Sequence, residues 1–264
     1  MSWSPFRAFA FSAFLLPAAM ASAAPSKAIP DPAPWQAFLS RYVDTSAADG
    51  IHRVRYAAVT TADKASLHAY LKAAQAAPLS ALPREDQRAL WINMYNAQTV
   101  AVVLDHYPLK SVRDLQLPGS SKPGPWDAKL LKVEGKDLSL NDVESGIMRV
   151  QWKDNRIHFA LNCASIGCPN LAVHAFTGAN ADKLLEAGAR DFMRSRRALD
   201  FSGGKLELSS IFDWYRADFG ADEKAVLATI AKYAPAGTAL KLKAWSGKIE
   251  YGYDWNLNDA SPPK

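Results

Sequence analysis

Cysteine, charge of one sign and long hydrophobic runs are all scarce in this sequence, and each scarcity removes a class of protein. Two cysteines in 264 residues are too few for a disulfide-framework miniprotein, and a chain of this length buries enough surface to hold a core without one. They also leave a zinc site short of ligands. Cys163 and Cys168 would need His158 or His174 to help, and nothing in the spacing demands it. Basic and acidic residues nearly balance, 31 against 26, for a net charge of +5. The basic residues are spread along the chain, which favours solubility and marks no nucleic-acid binder. Apart from one N-terminal run, no apolar stretch approaches the length that crosses a bilayer, so no transmembrane segment is expected in the mature chain. Repeats and low-complexity blocks are missing after that run. The balance of 49% hydrophobic to 22% charged residues is that of an ordinary globular protein and excludes a disordered, fibrous or polytopic membrane chain.

The N-terminal run carries an address. Arg7 precedes the apolar stretch Ala8–Met20, and Ala21-Ser22-Ala23 follows with small residues at the spacing a signal peptidase accepts. Residues 1–23 therefore read as a signal peptide and the mature chain as periplasmic or secreted. Pro25, Pro30, Pro32 and Pro34 make residues 24–34 an extended lead-in. A single domain is expected over 35–258, with a flexible tail over 259–264.

Within that domain the spacing predicts helices over 35–43, 61–77, 84–104, 181–194 and 223–233. The helix over 84–104 is the strongest, with Leu90, Met94, Ala97, Ala101 and Leu104 forming one apolar stripe. Glu134-Gly135 and Ser202-Gly203-Gly204 predict two hairpins. Strands are expected over 51–59 and 156–161 and near Leu240, and a short aromatic helix at Phe212, Trp214 and Tyr215. Asn141 followed by Glu144 resembles a capping box. Helices and short hairpins mix without regular alternation. The expected fold class is α+β, one domain of several helices packed on a small, mainly antiparallel sheet.

Several polar residues fall where chemistry or structure must claim them. Asn93 and Asn96 share one face of the long helix, a poor place for amides unless they have partners, either in a structural network or in a pocket wall. His158 and Cys163 suggest a thiol–imidazole pair, although on a regular strand their odd spacing turns them to opposite faces, while Asn162 shares the face of His158. Cys163 and Cys168 enclose four residues including Gly167, a plausible short disulfide loop in an oxidising compartment. Glu144 is either a helix cap or a carboxylate that orients His158. Arg190, Arg194, Arg196 and Arg197 read as a solvated basic face. Trp214, Tyr215, Tyr251, Tyr253 and Trp255 are able to stack on a sugar or to complete a small core.

Four motifs, in order, resemble the domain of unknown function family 547 in its secreted bacterial members. They are Trp91-Ile92-Asn93-Met94-Tyr95-Asn96-Ala97, Leu138 to Glu144, Arg156 to Ser165 with Cys168-Pro169, and Tyr253 to Asn258. The likeness spans roughly residues 35–258. It implies that Asn93, Asn96, Glu144, His158, Asn162, Cys163, Ser165 and Cys168 are family motif positions, and it confers no reaction and no cofactor. A looser likeness to papain-like or transglutaminase-like folds puts cysteine before histidine, the reverse of the order here. Three readings follow. One is a periplasmic or secreted protein whose His/Asn pocket binds a small molecule or envelope component as ligand or substrate. The second is a thiol-dependent hydrolase or acyltransferase with Cys163 as nucleophile, His158 as base and Glu144 as its orienter. The third is a non-catalytic envelope interaction module. In the first, Asn93, Asn96, Asn162 and Ser165 would contact what is bound.

Overall fold

Pro32 and Pro34 start the first helix early. Proline's fixed φ and missing N–H suit a first helical turn, so α1 runs Ala33–Tyr42, two residues ahead of the expected start. The computed structural model describes Met1 and residues 29–260. The expected signal peptide beyond Met1 and the first half of the lead-in lie outside those residues. Strands β1 (Val43–Asp44) and β2 (Arg53–Val54) form a two-residue antiparallel pair. The predicted strand over 51–59 is cut short there, because residues 56–58 turn into a 3-10 helix. Thr60 caps α2 (Thr61–Ala76), accepting from the Asp63 N–H at 3.1 Å.

Helix α3 (Arg84–His106) is the axis of the molecule. Every residue from Arg88 to Val103 except Gln98 is buried, so the expected apolar stripe is in fact a whole circumference, as befits a helix surrounded by other elements. The Glu134-Gly135 hairpin forms as expected, pairing β3 (Leu131–Val133) with β4 (Lys136–Leu138). The next helix is capped at Ser139 rather than Asn141. Ser139 Oγ accepts from the Asp142 N–H at 3.1 Å and Asp142 Oδ2 accepts from the Ser139 N–H at 2.7 Å, which is the capping box displaced two residues upstream. Glu144 is thereby released from capping. It sits in a wide π-helical stretch, Asp142–Met148, that continues into α4 (Arg149–Trp152).

Residues 156–161 are not a strand. Residues 156–159 lie in a 3-10 helix, Asn155–Phe159, capped by Asp154 Oδ1 accepting from the Arg156 N–H at 3.0 Å, and residues 160–161 follow it without regular structure. The alternation that mimics a strand has another cause. Ile157 belongs to a large core built around α1, α2 and α3, and Phe159 to a second, adjoining core. His158, between them, lies at the seam. The second core gathers α5 (Ala181–Phe192), β5 (Leu199–Asp200), β6 (Leu206–Ser209), α6 (Ile211–Trp214), α7 (Arg216–Phe219), α8 (Glu223–Ile230), α9 (Ala236–Ala244) and β7 (Ile249–Gly252). The strand expected near Leu240 is helix α9. The alternating Leu-Lys-Leu-Lys misleads because only Leu242 is buried, while Leu240 faces out. β5 pairs antiparallel with β6, and β7 returns parallel to β6. The whole is α+β, with small two- and three-stranded sheets among the helices. Of the tail expected over 259–264, the two described residues are tied down: the Ala260 N–H donates to Val54 O at 3.0 Å, and Asp259 Oδ2 accepts from the Tyr107 hydroxyl at 2.8 Å; residues 261–264 lie outside the described residues. Among the described residues, no helix is long and apolar enough to cross a membrane.

Candidate functional site

The turn after the 3-10 helix is held on every side by polar groups. Asn96, from α3, grips it at both ends of its amide: Nδ2 donates to Ala160 O at 2.9 Å, and Oδ1 accepts from the Asn162 N–H at 2.8 Å. Asn162 in turn donates to Pro169 O at 2.8 Å and accepts from the Ala164 N–H at 2.9 Å, closing the loop 162–169 on itself. Ala164 is thereby held at φ +64°, a left-handed conformation that costs a non-glycine residue about 1–2 kcal/mol. The C-terminal segment crosses the same loop. Ile166 N–H donates to Asn256 O, Gly167 N–H to Asp254 O and Asn258 N–H to Ala164 O, all at 2.8–2.9 Å. A Cβ on Gly167 would stand 2.8 Å from the Asp254 nitrogen, so only glycine allows that approach.

This loop presents Cys163 and Cys168 side by side. Both are free thiols, buried, with the sulfur atoms 2.7 Å apart. The Cys163 N–H donates to Cys168 Sγ at 2.8 Å, and the Tyr253 hydroxyl stands 3.0 Å from Cys163 Sγ. Burial pushes the Cys163 thiol up, but hydrogen bonds from Cys168, Ser165 and Tyr253 outweigh it and bring it down to about 7. Burial and the neighbouring Cys163 push the Cys168 thiol well above its ordinary value. Arg197 belongs to this assembly rather than to a solvated basic face. It is half-buried and donates to Ile166 O at 2.8 Å and to Asn170 Oδ1 at 2.6 Å, bracing the loop from behind.

His158 sits in a different network. Nδ1 lies 3.2 Å from Glu144 Oε1, and Nε2 lies 2.7 Å from Asp218 Oδ2. Arg149 Nη2 donates to Asp218 Oδ1 at 3.0 Å, so two cations and two carboxylates alternate. The Tyr215 ring stacks on the imidazole at 4.1 Å between centroids, and the Tyr95 hydroxyl donates to Glu144 Oε2 at 3.4 Å. Burial alone would push the imidazole down; the hydrogen bonds to Asp218 and Glu144 outweigh it and raise it above its ordinary value. Burial likewise works to raise Asp218, but hydrogen bonds from His158 and Arg149 hold its carboxyl well below the usual range. With both ring nitrogens donating to carboxylates, the group is an imidazolium, and neither nitrogen is left to take a proton from Cys163.

The two shifts give opposite pH limits. The stability His158 supplies is complete below its unfolded value of 6.5 and is lost as pH rises through the higher folded value. That of Asp218 is present above its unfolded value of 3.8 and is lost as pH falls through the lower folded value. Both contributions are therefore in force between pH 3.8 and 6.5. Thermal melting across pH should show wild type leading His158→Gln by its widest margin in that interval, with the margin shrinking on the alkaline side. A margin that grows with alkalinity would mean that the imidazole is neutral in the folded protein.

Of the residues singled out in the sequence, Glu144, His158, Cys163 and Cys168 line a cavity of about 590 Å³. Trp126, Trp214, Tyr215, Tyr253 and Trp255 form its aromatic wall, and Arg113 and Lys122 stand among its lining residues. Asn93, Asn96 and Asn162 are not among them. Asn93 holds the Phe176 backbone, donating to its O at 2.8 Å and accepting from its N–H at 2.9 Å. Ser165 is buried in the loop, paired by backbone with Leu257. Exposed His174 is not beside the thiols in this wall, and among the described residues no group of three or more His, Cys, Asp or Glu side chains is placed to hold a metal ion. Glu144 and Asp218 engage opposite nitrogens of one ring and so do not converge.

Residues 79–193 match the family described as "Protein of unknown function, DUF547". The DUF547 match takes in α3, Glu144, His158 and the whole thiol loop. It ends before Tyr215, Asp218 and Tyr253, which the second core contributes. Asp218 and Arg149 had no mark in the sequence; each is an ordinary charged residue on a short helix, and only the meeting of two cores brings them to His158. No curated protein and no solved structure matches the chain.

Proposed function

We propose that this is an exported protein whose aromatic-walled cavity binds a small ligand or substrate. The cavity of about 590 Å³ carries the reading, being of the size that encloses a small molecule. Its wall supports a ligand with a flat apolar face and polar edges, of which a sugar ring is the simplest example. Trp214 stacks on Trp255 at 5.5 Å between centroids, and Trp126 meets Trp255 edge-on at 5.6 Å. Trp214 remains 49% exposed, so that ring is not there merely to fill a core. Arg113 lies over the Trp255 ring at 5.1 Å, adding a cation beside the stacking surface. Binding is better supported than acyl transfer from Cys163, because His158 holds its two carboxylates with both nitrogens and has none for a general base.

Titration of tryptophan fluorescence with envelope-glycan fragments tests this. Saturable quenching is expected, and Trp255→Ala should raise the Kd about tenfold, the equivalent of ~1.4 kcal/mol of lost stacking and packing. A panel of sugars and aromatic compounds that gives no saturable change would sink the cavity reading. Export rests on Arg7, the apolar run and Ala21-Ser22-Ala23. N-terminal sequencing of protein made in a Gram-negative host should begin near Ala24, in the periplasmic or secreted fraction; an intact Met1 on folded protein in that fraction would overturn it.

A further inference from the structure

Ligand binding makes no use of the two thiols that face the cavity. A buried pair of cysteines with no bond between them, one opening on a cavity and the other in contact with it, is more than packing requires. Cys163 is 8% exposed and Cys168 is 4%, and both line the cavity wall. Their sulfurs stand 2.7 Å apart, and the Tyr253 hydroxyl is 3.0 Å from Cys163 Sγ. Ser165 Oγ is buried in the same loop and has no other hydrogen-bond partner, so it is left to serve the neighbouring sulfur.

We propose that Cys163 and Cys168 form a dithiol exchange centre, in which Cys163 Sγ attacks a low-molecular-weight disulfide admitted through the cavity and Cys168 Sγ resolves the product. The proposal rests on the cavity reading for the route by which the disulfide arrives. In the first step the Cys163 thiolate bonds to one sulfur of R–S–S–R, and the other sulfur leaves as RS⁻ with the electron pair of the broken bond. In the second, Cys168 Sγ bonds to Cys163 Sγ and the remaining RS⁻ departs. The Cys168 proton passes to one departing thiolate, and the other takes from solvent the proton that Cys163 released on ionising. The dithiol is oxidised by two electrons to a Cys163–Cys168 disulfide and R–S–S–R is reduced to two RSH. An external dithiol reductant restores the pair by the reverse exchange.

The two cysteines differ in the way these roles need. An attacking sulfur works as thiolate, most efficiently when its acidity matches the ambient pH. Donors from Cys168, Ser165 and Tyr253 favour the thiolate at Cys163. Burial, together with the neighbouring Cys163, keeps Cys168 protonated, and formation of the mixed disulfide removes the Cys163 charge from that balance at the moment when Cys168 must ionise. Asn96, Asn162 and Arg197 fix the loop, so the resolving sulfur does not have to be brought in by a conformational change.

Fully reduced full-length protein mixed with oxidised glutathione and followed by intact-mass spectrometry tests the assignment. Wild type should end two hydrogens lighter, with no glutathione retained. Cys168→Ser should stop with one glutathione on Cys163, and Cys163→Ser should react at least about a hundredfold more slowly. Tyr253→Phe, which keeps the ring and both thiols, should slow attack by about tenfold through loss of one donor to the thiolate. The assignment is overturned by a wild type that stays reduced, by a Cys163→Ser variant as fast as wild type, or by a Cys168→Ser variant that collects no adduct while wild type oxidises. Ligand titration of the Cys163→Ser, Cys168→Ser double variant separates the two proposals. Saturable binding there, together with absent exchange in wild type, removes the dithiol centre alone. Normal exchange with no saturable ligand removes the ligand-binding reading alone.

Discussion

Replacing His158 by alanine is expected to lower the unfolding free energy by about 3–5 kcal/mol, because it strands Glu144 as a buried carboxylate without its cation. The imidazolium ring is what makes that burial tolerable: it stands 3.2 Å from Glu144 and 2.7 Å from Asp218, with both the histidine and Glu144 almost shut off from water. Asp218 suffers less, since it retains Arg149 and some solvent. The cost should therefore be concentrated on one pair, which a double-mutant cycle can show. Glu144→Gln introduced into His158→Ala should recover about 1–3 kcal/mol by removing the orphaned charge. Denaturant unfolding that registers a loss below about 1 kcal/mol for His158→Ala, or no recovery in the double variant, would contradict the charge assignment.

Asn96→Leu should cost about 2–6 kcal/mol, for a related reason. The two side chains share a branched skeleton of four heavy atoms and leucine is no smaller, so the loss is not a cavity. It is the desertion of two buried backbone groups, Ala160 O and the Asn162 N–H, at about 1–3 kcal/mol each. Asn93→Leu removes an equivalent pair of bonds at Phe176 and should cost a similar amount. The two variants should part company at Cys163. Asn96 anchors the loop that carries the thiol, whereas Asn93 anchors a segment beyond it. Alkylation of Cys163 by iodoacetamide, measured well below the melting temperature, should change in Asn96→Leu and stay at the wild-type rate in Asn93→Leu. Equal alkylation rates in the two variants would show that the loop keeps its geometry without Asn96.

These expectations depend on contacts that the sequence reveals unequally. Asn93 and Asn96 stand out because an amide in the middle of a long helix needs a partner, and both prove to hold backbone segments rather than the cavity wall. Glu144 is visible as a residue but not as a role, because the capping chemistry that its spacing from Asn141 suggests is performed by Ser139 and Asp142. The strand expected at residues 156–161 fails instructively. Alternation of Ile157, Phe159 and Leu161 satisfies the period of a strand, yet the two sides it serves are two different cores, and Asp154 turns the backbone into a 3-10 helix. With the strand goes the argument that parity unites His158 with Asn162. The first joins Glu144 and Asp218, and the second closes the thiol loop.

What the sequence determined by itself is whatever depends on neighbours along the chain. The long α3 helix, α1, α2 and α5, and both hairpins follow from apolar spacing, proline placement and turn residues, and these local signals suffice for an α+β fold. The adjacency of Cys163 and Cys168 is legible for the same reason, since a five-residue interval containing Gly167 can close on itself. The tertiary structure decided everything that needed two distant segments to meet. Asp218 reaches His158 across 60 residues and Tyr253 reaches Cys163 across 90. An isolated aspartate or tyrosine carries no local pattern by which such a partnership could be read. Packing of the second core against α3 brings them there, and the contacts then set the protonation: the carboxylates that raise the His158 imidazole against its burial, and the hydrogen bonds that favour the thiolate at Cys163 over Cys168, exist only in the assembled fold.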